Sequence, residues 1–225
     1  MPRIARLVIP HLSHHVTQRG NNRQDVFLVD DDRRTYLALL KDRCDEAAVR
    51  VLGYCLMTNH VHLIIVPPNE ASLAAAIGRT HWLYTQYVNR LHGRSGHLWQ
   101  NRFFSCALDE PHLWTALRYI ERNPLRTGAT RAAWNYPWSS AAAHAGTRVD
   151  ASGLLDLIGW RKEWPPRRWR AQLAQPLEEG ETGAIRRHLH AGRPLATDRF
   201  LAKLETKLGR RLRPRPVGRP RREGK

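Results

Sequence analysis

His60 and His62 stand one residue apart in GYCLMTNHVHLIIVP, the run from Gly53 to Pro67. The run reads as two short apolar segments joined at Thr58-Asn59, the second of which alternates with a period of two. On a strand, His60, His62, Ile64 and Val66 then share one face while Val61, Leu63 and Ile65 share the other. Neighbouring imidazoles on one face can grip a single metal ion, with the opposite apolar face anchoring the strand in a core. They can also be polar positions on the wetter face of an antiparallel strand.

A second set of reactive residues lies in PHLWTALRYIERNP, ending at Pro124. Helical spacing puts Leu113, Leu117 and Ile120 on a core stripe, and Tyr119 and Asn123, four apart, together on its flank. A phenol, with an ordinary pKa of about 10, can attack a phosphodiester when a metal polarises the phosphate and the proton is lost. The product is a phosphotyrosine, which a free DNA 3′-hydroxyl can later attack, rejoining strands without ATP. Asn123 could supply an oxygen ligand. In the alternative, Tyr119 packs its ring and Asn123 ends the helix before Pro124.

The elements that position these groups follow from periodicity and punctuation. HHVTQR, from His14 to Arg19, alternates as a strand and ends in the turn cluster Gly20-Asn21-Asn22. A helix is expected from about Asp31 to Ala48, with acidic residues at its start and Tyr36, Leu37, Leu39, Leu40 and Cys44 inward. After the histidine hairpin, Ser72 is the expected N-cap of a long helix ending near Gly93. LWQNRFFSCAL, from Leu98 to Leu108, reads as one or two strands, and Pro111 opens a third helix that must stop at Asn123-Pro124. Strand, helix, strand pair, helix, strand, helix favours an α+β fold: a ferredoxin-like, mostly antiparallel sheet with packed helices.

The charge constrains the partner. Lys and Arg number 37 against 20 Asp and Glu, a formal net charge of +17 on 225 residues, for which a polyanion such as nucleic acid is the natural counterpart. Only Lys41, Lys162, Lys203, Lys207 and Lys225 are lysines; the remaining cations are Arg, whose planar fork suits phosphate and base edges. Cys44, Cys55 and Cys106 lack CxxC spacing, and no apolar run is long enough for a bilayer. With no signal-peptide pattern, a reduced, cytoplasmic, nucleoid-associated protein without membrane contact is expected.

Taken together, HVTQRGNNRQ, GYCLMTNHVHLIIVP, WQNRF and YIERNPLRTG resemble, over residues 10–145, the REP-associated tyrosine transposases, a branch of the HUH single-strand DNA transposases. The resemblance implies that His60 and His62 bind a divalent metal, Mg²⁺ or Mn²⁺, with Asn123 the third ligand and Tyr119 the nucleophile. It implies cleavage and rejoining of single-stranded DNA beside the hairpins of repetitive extragenic palindromes (REP), through a 5′-phosphotyrosine. No small-molecule cofactor is expected, and the oligomeric state is left open with a leaning to a monomer.

Other residues divide between DNA contact and packing. In WQNRF, Gln100, Asn101 and Arg102 could hold DNA, or the segment could be an aromatic hairpin closing the core. Arg118 and Arg122 flank the tyrosine and are expected on phosphate. Tyr84 and Tyr87 coincide with an apolar stripe and read as core. His14 and His15 read as surface residues, and His11, His81, His92, His97, His112 and His144 show no ligand spacing.

Three regions are expected: a catalytic domain over 1–145, a helical DNA-binding extension over 146–209, and a basic tail over 210–225. In the extension, Trp160, Trp164 and Trp169 interleave with Arg161, Arg167, Arg168 and Arg170, as a stacking surface or an aromatic latch. Thr197–Leu208 reads as a helix stopped by Gly209, and with the preceding GAIRRHLH could form a helix-turn-helix. The tail is too rich in proline and charge to pack alone; Gly218-Arg219-Pro220 resembles the centre of an AT-hook. Besides the transferase, a noncatalytic regulator binding palindromic repeats remains open, and a rolling-circle or relaxase role is weaker.

Overall fold

A computed structural model describes residues 6–213. β1 (Ser13–Arg19), β2 (Arg50–Met57), β3 (His60–Val66) and β4 (Phe104–Leu108) form one sheet in the order β2-β3-β1-β4, every pair antiparallel. α1 (Asp30–Glu46) and α2 (Arg79–Leu91) cover one face; α3 (Glu110–Glu121) covers the other. This is the expected ferredoxin-like arrangement.

The period-two pattern of β3 separates two cores. Val61, Leu63 and Ile65 pack with Tyr36, Leu40 and Tyr84 beneath α1 and α2. Ile64 joins Leu117, Tyr119 and Ile120 of α3. Tyr84 is fully buried, its hydroxyl donating to the Val26 carbonyl at 2.6 Å, and Tyr87 donates to Asp32 Oδ1 at 3.3 Å. Both are core residues, as expected.

Several local expectations need correction. The helix before the WQNRF segment is capped by the Asn69 side chain, whose Oδ1 accepts from Ala71 and Ser72 N–H, and not by Ser72. It contains a π-helical turn over Ala74–Gly78 before α2 begins. Residues 98–103 are loop, because Asn101 turns into the left-handed region at φ 56° and ends the extended run; only Phe104–Leu108 pairs as a strand. α3 is capped by Asp109 and breaks at Arg122, yet the chain does not stop there. Pro124 fits the first turn of a short helix, α4 (Asn123–Arg126).

His14 and His15, expected at the surface, are both fully buried. β1 is a central strand with elements on both faces, so neither side of it meets water. His14 is a satisfied core residue: Nδ1 donates to the Leu12 carbonyl at 2.8 Å and Nε2 accepts from Ile9 N–H at 3.1 Å.

The region after 145 folds back onto α3. After α5 (Ala141–His144), the extension forms α6 (Leu157–Glu163), α7 (Pro166–Ala174), α8 (Glu179–Ala191) and α9 (Asp198–Leu208). Trp160, Trp169, Leu173, Ile185 and Leu189 share the apolar cluster of Leu117 and Ile120, so the tryptophans form the latch and not a free stacking surface. α9 is capped by Thr197 and stopped by Gly209 as expected, but its Leu204 packs with Ile9 and Ala107, a separate cluster from that of α8. Arg219 and the rest of the proposed AT-hook lie outside the described residues.

A buried carboxylate fastens the two regions together. Glu121, fully buried at the end of α3, accepts from Ser140 Oγ, from His144 Nδ1 at 2.5 Å and from Trp169 Nε1 at 2.8 Å. On the sheet side, Gly53 lets α3 approach: a Cβ there would sit 2.5 Å from Leu117 Cδ2.

Two outcomes follow. Glu121→Leu leaves three buried donors unmatched and should lower unfolding stability by about 3–5 kcal/mol; a urea transition within about 1 kcal/mol of wild type would show that the carboxylate holds nothing. Burial pushes His14 down to about 4 and His81 down to about 3, the latter also disfavoured by Arg6. The unfolded chain therefore takes up protons below about pH 6.5 that the folded chain refuses. Stability should be full above that pH and fall as it drops toward 4, by about 1.4 kcal/mol per pH unit for each such histidine. A flat urea midpoint between pH 7 and pH 5 would contradict this.

Candidate active site: three histidines, a tyrosine and an arginine ring

The β1–β3 register brings Thr17 opposite His62 and Arg19 opposite His60, so the α3 face of these strands carries His15, Thr17 and Arg19 beside His60 and His62. The rings of His60 and His62 lie 5.0 Å apart, centroid to centroid. Tyr119 enters from α3, 5.7 Å from the His62 ring and 6.0 Å from the His15 ring. Asn123, one turn later, places Nδ2 3.1 Å from His60 Nε2. The four residues singled out from spacing meet at one place, and Tyr119 there is 7 % exposed.

Hydrogen bonds set the tautomers. His60 Nδ1 lies 2.7 Å from Asn59 Oδ1, which can only accept, so the proton sits on Nδ1 and the lone pair on Nε2. Asn123 Nδ2 donates to that lone pair, while Arg126 Nη2 donates to Asn123 Oδ1 at 2.7 Å. His62 Nδ1 meets His15 Nε2 at 3.0 Å. When the shared proton is on His62, its Nε2 is a free lone pair.

The imidazoles are held neutral. Burial, then Arg126 and Arg19, pushes His60 down to about 4. Burial, then His60, His15, Arg126 and Arg186, holds His62 well below its ordinary value, and burial alone takes His15 to about 3. A metal needs the neutral form, so these histidines are ready donors at neutral pH. Among the described residues no group of three or more His, Cys, Asp or Glu has metal-binding proximity. The donor set is therefore two imidazoles and an amide. It fits a divalent ion once Asn123 Oδ1 exchanges Arg126 for the metal.

Spacing missed His15 and the arginines. Arg19, Arg126 and Arg186 come from β1, α4 and α8, and no linear motif joins them; the period-two pattern from His62 to its cross-strand neighbours was the one signal for His15. Arg118 and Arg122, expected on phosphate, dock on the carbonyls of Gln175, Pro176 and Leu173 at the end of α7. Gln100 sits at the end of β1, where its Oε1 accepts from Arg19 at 3.0 Å, close to the site. Asn101 and Arg102 are exposed in the same loop, with Arg102 turned toward Arg6 on the far side.

Comparison with known proteins gives several matches. A Haemophilus influenzae protein described as a REP-associated tyrosine transposase is 26% identical over 111 residues, 44% of this chain; the chain spans 63% of that relative's length. The solved structure of a REP-associated tyrosine transposase bound to a REP hairpin aligns with a TM-score of 0.57 at 16% identity, covering 65% of this chain and 86% of that one, which establishes a common fold. A Deinococcus radiodurans structure described as a transposase gives a TM-score of 0.39 at 20% identity, over 54% of this chain and 97% of its own. The family model "Transposase IS200 like" matches residues 8–123, just over half the chain and from the entry to β1 through Asn123. The sheet, the paired histidines and the tyrosine helix all fall inside that match, and the chain belongs to the IS200-like transposase family.

Proposed function

We propose that this chain is a metal-dependent single-strand DNA endonuclease and strand transferase that acts beside REP-type hairpins through a covalent 5′-phosphotyrosine. The observation that carries the reading is the Tyr119 ring set between His15 and His62, with His60 and Asn123 adjoining. Neutral imidazoles with no carboxylate among them suit a site built to receive an anionic phosphate.

Tyr119 is the nucleophile. Its oxygen gives up its proton and bonds to phosphorus, the bond from phosphorus to O3′ breaks, and O3′ leaves as a hydroxyl carrying a proton that balances the one lost by the phenol. Arg19, Arg126 and Arg186 lie near enough to act on the histidines and favour a bound phosphate. His60, His62 and Asn123 would hold Mg²⁺ or Mn²⁺, which would supply Lewis-acid polarisation of the scissile phosphate. His15 orients His62. The reverse attack by a 3′-hydroxyl on the phosphotyrosine restores the strand and the free phenol.

The extension, whose Trp latch and α8 pack against the catalytic face, adds the positive charge of Arg161, Arg167, Arg168 and Arg170. These are exposed and free of the roles taken by Arg118 and Arg122. They serve the duplex stem through phosphate contacts.

A labelled hairpin oligonucleotide with single-stranded flanks, incubated with Mn²⁺, should give a denaturation-resistant protein–DNA adduct that Tyr119→Phe abolishes. A shifted probe with no adduct would identify a noncatalytic repeat-binding regulator instead. His15→Phe should raise the Mn²⁺ concentration needed for half-maximal adduct by about 10–100-fold, the cost of losing a partner that orients a ligand. An unchanged metal requirement would remove His15 from the reading.

A further inference from the structure

On the sheet face opposite the tyrosine lies a cavity of about 600 Å³ between α2 and the 97–103 loop. Its walls include Trp82, Trp99 and Phe103, and its polar groups include Arg6, Gln18 and Arg102. None of these belongs to the histidine–tyrosine cluster.

Three features mark the cavity. Trp82 is 49% exposed, although a large apolar ring gains nothing from water. Arg79 covers it at 4.1 Å. Arg6 and Arg102 both line the cavity; Arg6 lies 3.5 Å over the Phe103 ring and donates to its carbonyl at 3.0 Å, while Arg102 is exposed. Two guanidiniums on one cavity with aromatic walls suit an anion. Gln18 is buried, and its Nε2 donates to the carbonyls of Gln100 and Asn101 at 3.4 and 3.0 Å. Those carbonyls fix the amide orientation and leave Oε1 as a buried acceptor with no partner among the described residues.

We infer that this cavity is a docking pocket for one unpaired nucleotide of the DNA strand: its base stacks on the Trp82 wall and its phosphate lies between Arg6 and Arg102. Aromatic surface with paired guanidiniums matches the two halves of a nucleotide, a π-face and a charge. The Gln18 acceptor favours a base that carries an N–H donor. The route from the tyrosine is short. Arg19 lies opposite His60 in the β1–β3 register, its guanidinium holds Gln100, and Gln18, the preceding residue, opens on the other face. A strand leaving Tyr119 would round the end of β1 and enter the pocket.

The inference rests on the proposed DNA substrate but not on cleavage, and its test is arranged accordingly. Binding is measured by fluorescence anisotropy without divalent metal in the Tyr119→Phe background, on a hairpin whose unpaired flanks are made abasic one position at a time. One flank position should cost about ten-fold in affinity when abasic, the scale of a single stacked base. In Trp82→Ala, an exposed position that leaves the core intact, that cost should shrink to under about two-fold; Gln18→Leu should shrink it in the same way. Arg102→Ala should weaken binding and reduce the salt slope by about one phosphate. Equal costs at every position, a position-specific cost that survives both Trp82→Ala and Gln18→Leu, or equal affinity for a hairpin without flanks would each overturn the pocket. Absence of the covalent adduct from the unsubstituted chain, or its survival in Tyr119→Phe, would overturn the nucleophile and leave this measurement untouched.

Discussion

The position of α3 depends on a single buried carboxylate. Glu121 is two residues from Tyr119, and its donors come from the 139–144 segment and from α7. An ionised group with no water around it is tolerated only when its lone pairs are taken up by hydrogen bonds. The consequence is directional: Trp169 can reach Glu121 only when the extension lies against the helix, so the carboxylate couples extension docking to the placement of the phenol. Gly53 acts from the opposite side, since the missing Cβ sets how near α3 comes to β2. The tyrosine is thus located by packing on the sheet and by polar bonds to the extension, and neither alone would hold it to the accuracy that a reaction geometry demands.

The electrostatics of the site follow from the same burial. Desolvation is the largest cause keeping His15, His60 and His62 uncharged, and the nearby arginines reinforce it at His60 and His62. The arrangement suits a ligand role, which needs the neutral ring, but the arginines also repel a cation. Under the proposed reading, metal and phosphate each relieve the other's cost: the ion offsets phosphate charge, and the phosphate offsets the arginines. Their binding is therefore coupled and reciprocal. The Arg126–Asn123 bond is where this coupling would act, because the oxygen a metal needs is the one the guanidinium holds. A phosphate that draws Arg126 away frees Asn123.

The parts of this molecule that were legible in the sequence are those governed by local period. Alternation along β3 separated His60 and His62 from Val61 and Leu63, and the structure keeps that separation to the residue. The four-residue step from Tyr119 to Asn123 survives even though the helix breaks between them, because α4 resumes at once. What was not legible is what depends on strand order. His15, near the start of its strand, reads as a surface residue; only the central position of β1 makes it a partner of His62. Arg118 and Arg122 sit beside the tyrosine in sequence but point at the α7 carbonyls, since a helix flank faces whatever tertiary element covers it.

β1 explains why the two halves of the proposed DNA path can lie so near each other while sharing no side chain. Successive residues of a strand point to opposite faces, so Arg19 and Gln18 open on different sides of the sheet although they are covalent neighbours. The loop that follows α2 closes over this end of the strand: Gln100 binds Arg19 on one side, and the backbone of Gln100 and Asn101 holds Gln18 on the other. A displacement of that loop must alter both at once. The left-handed Asn101 keeps the loop from continuing as a strand, so the pairing at the end of β1 is limited to the Gly20–Trp99 bridge and the Gln100 N–H bond to the Arg19 carbonyl. WQNRF is then best understood as a fixed bend whose ordered backbone links the arginine beside the histidines to the cavity behind them. That linkage gives a strand bound in the pocket a mechanical route to the groups around Tyr119.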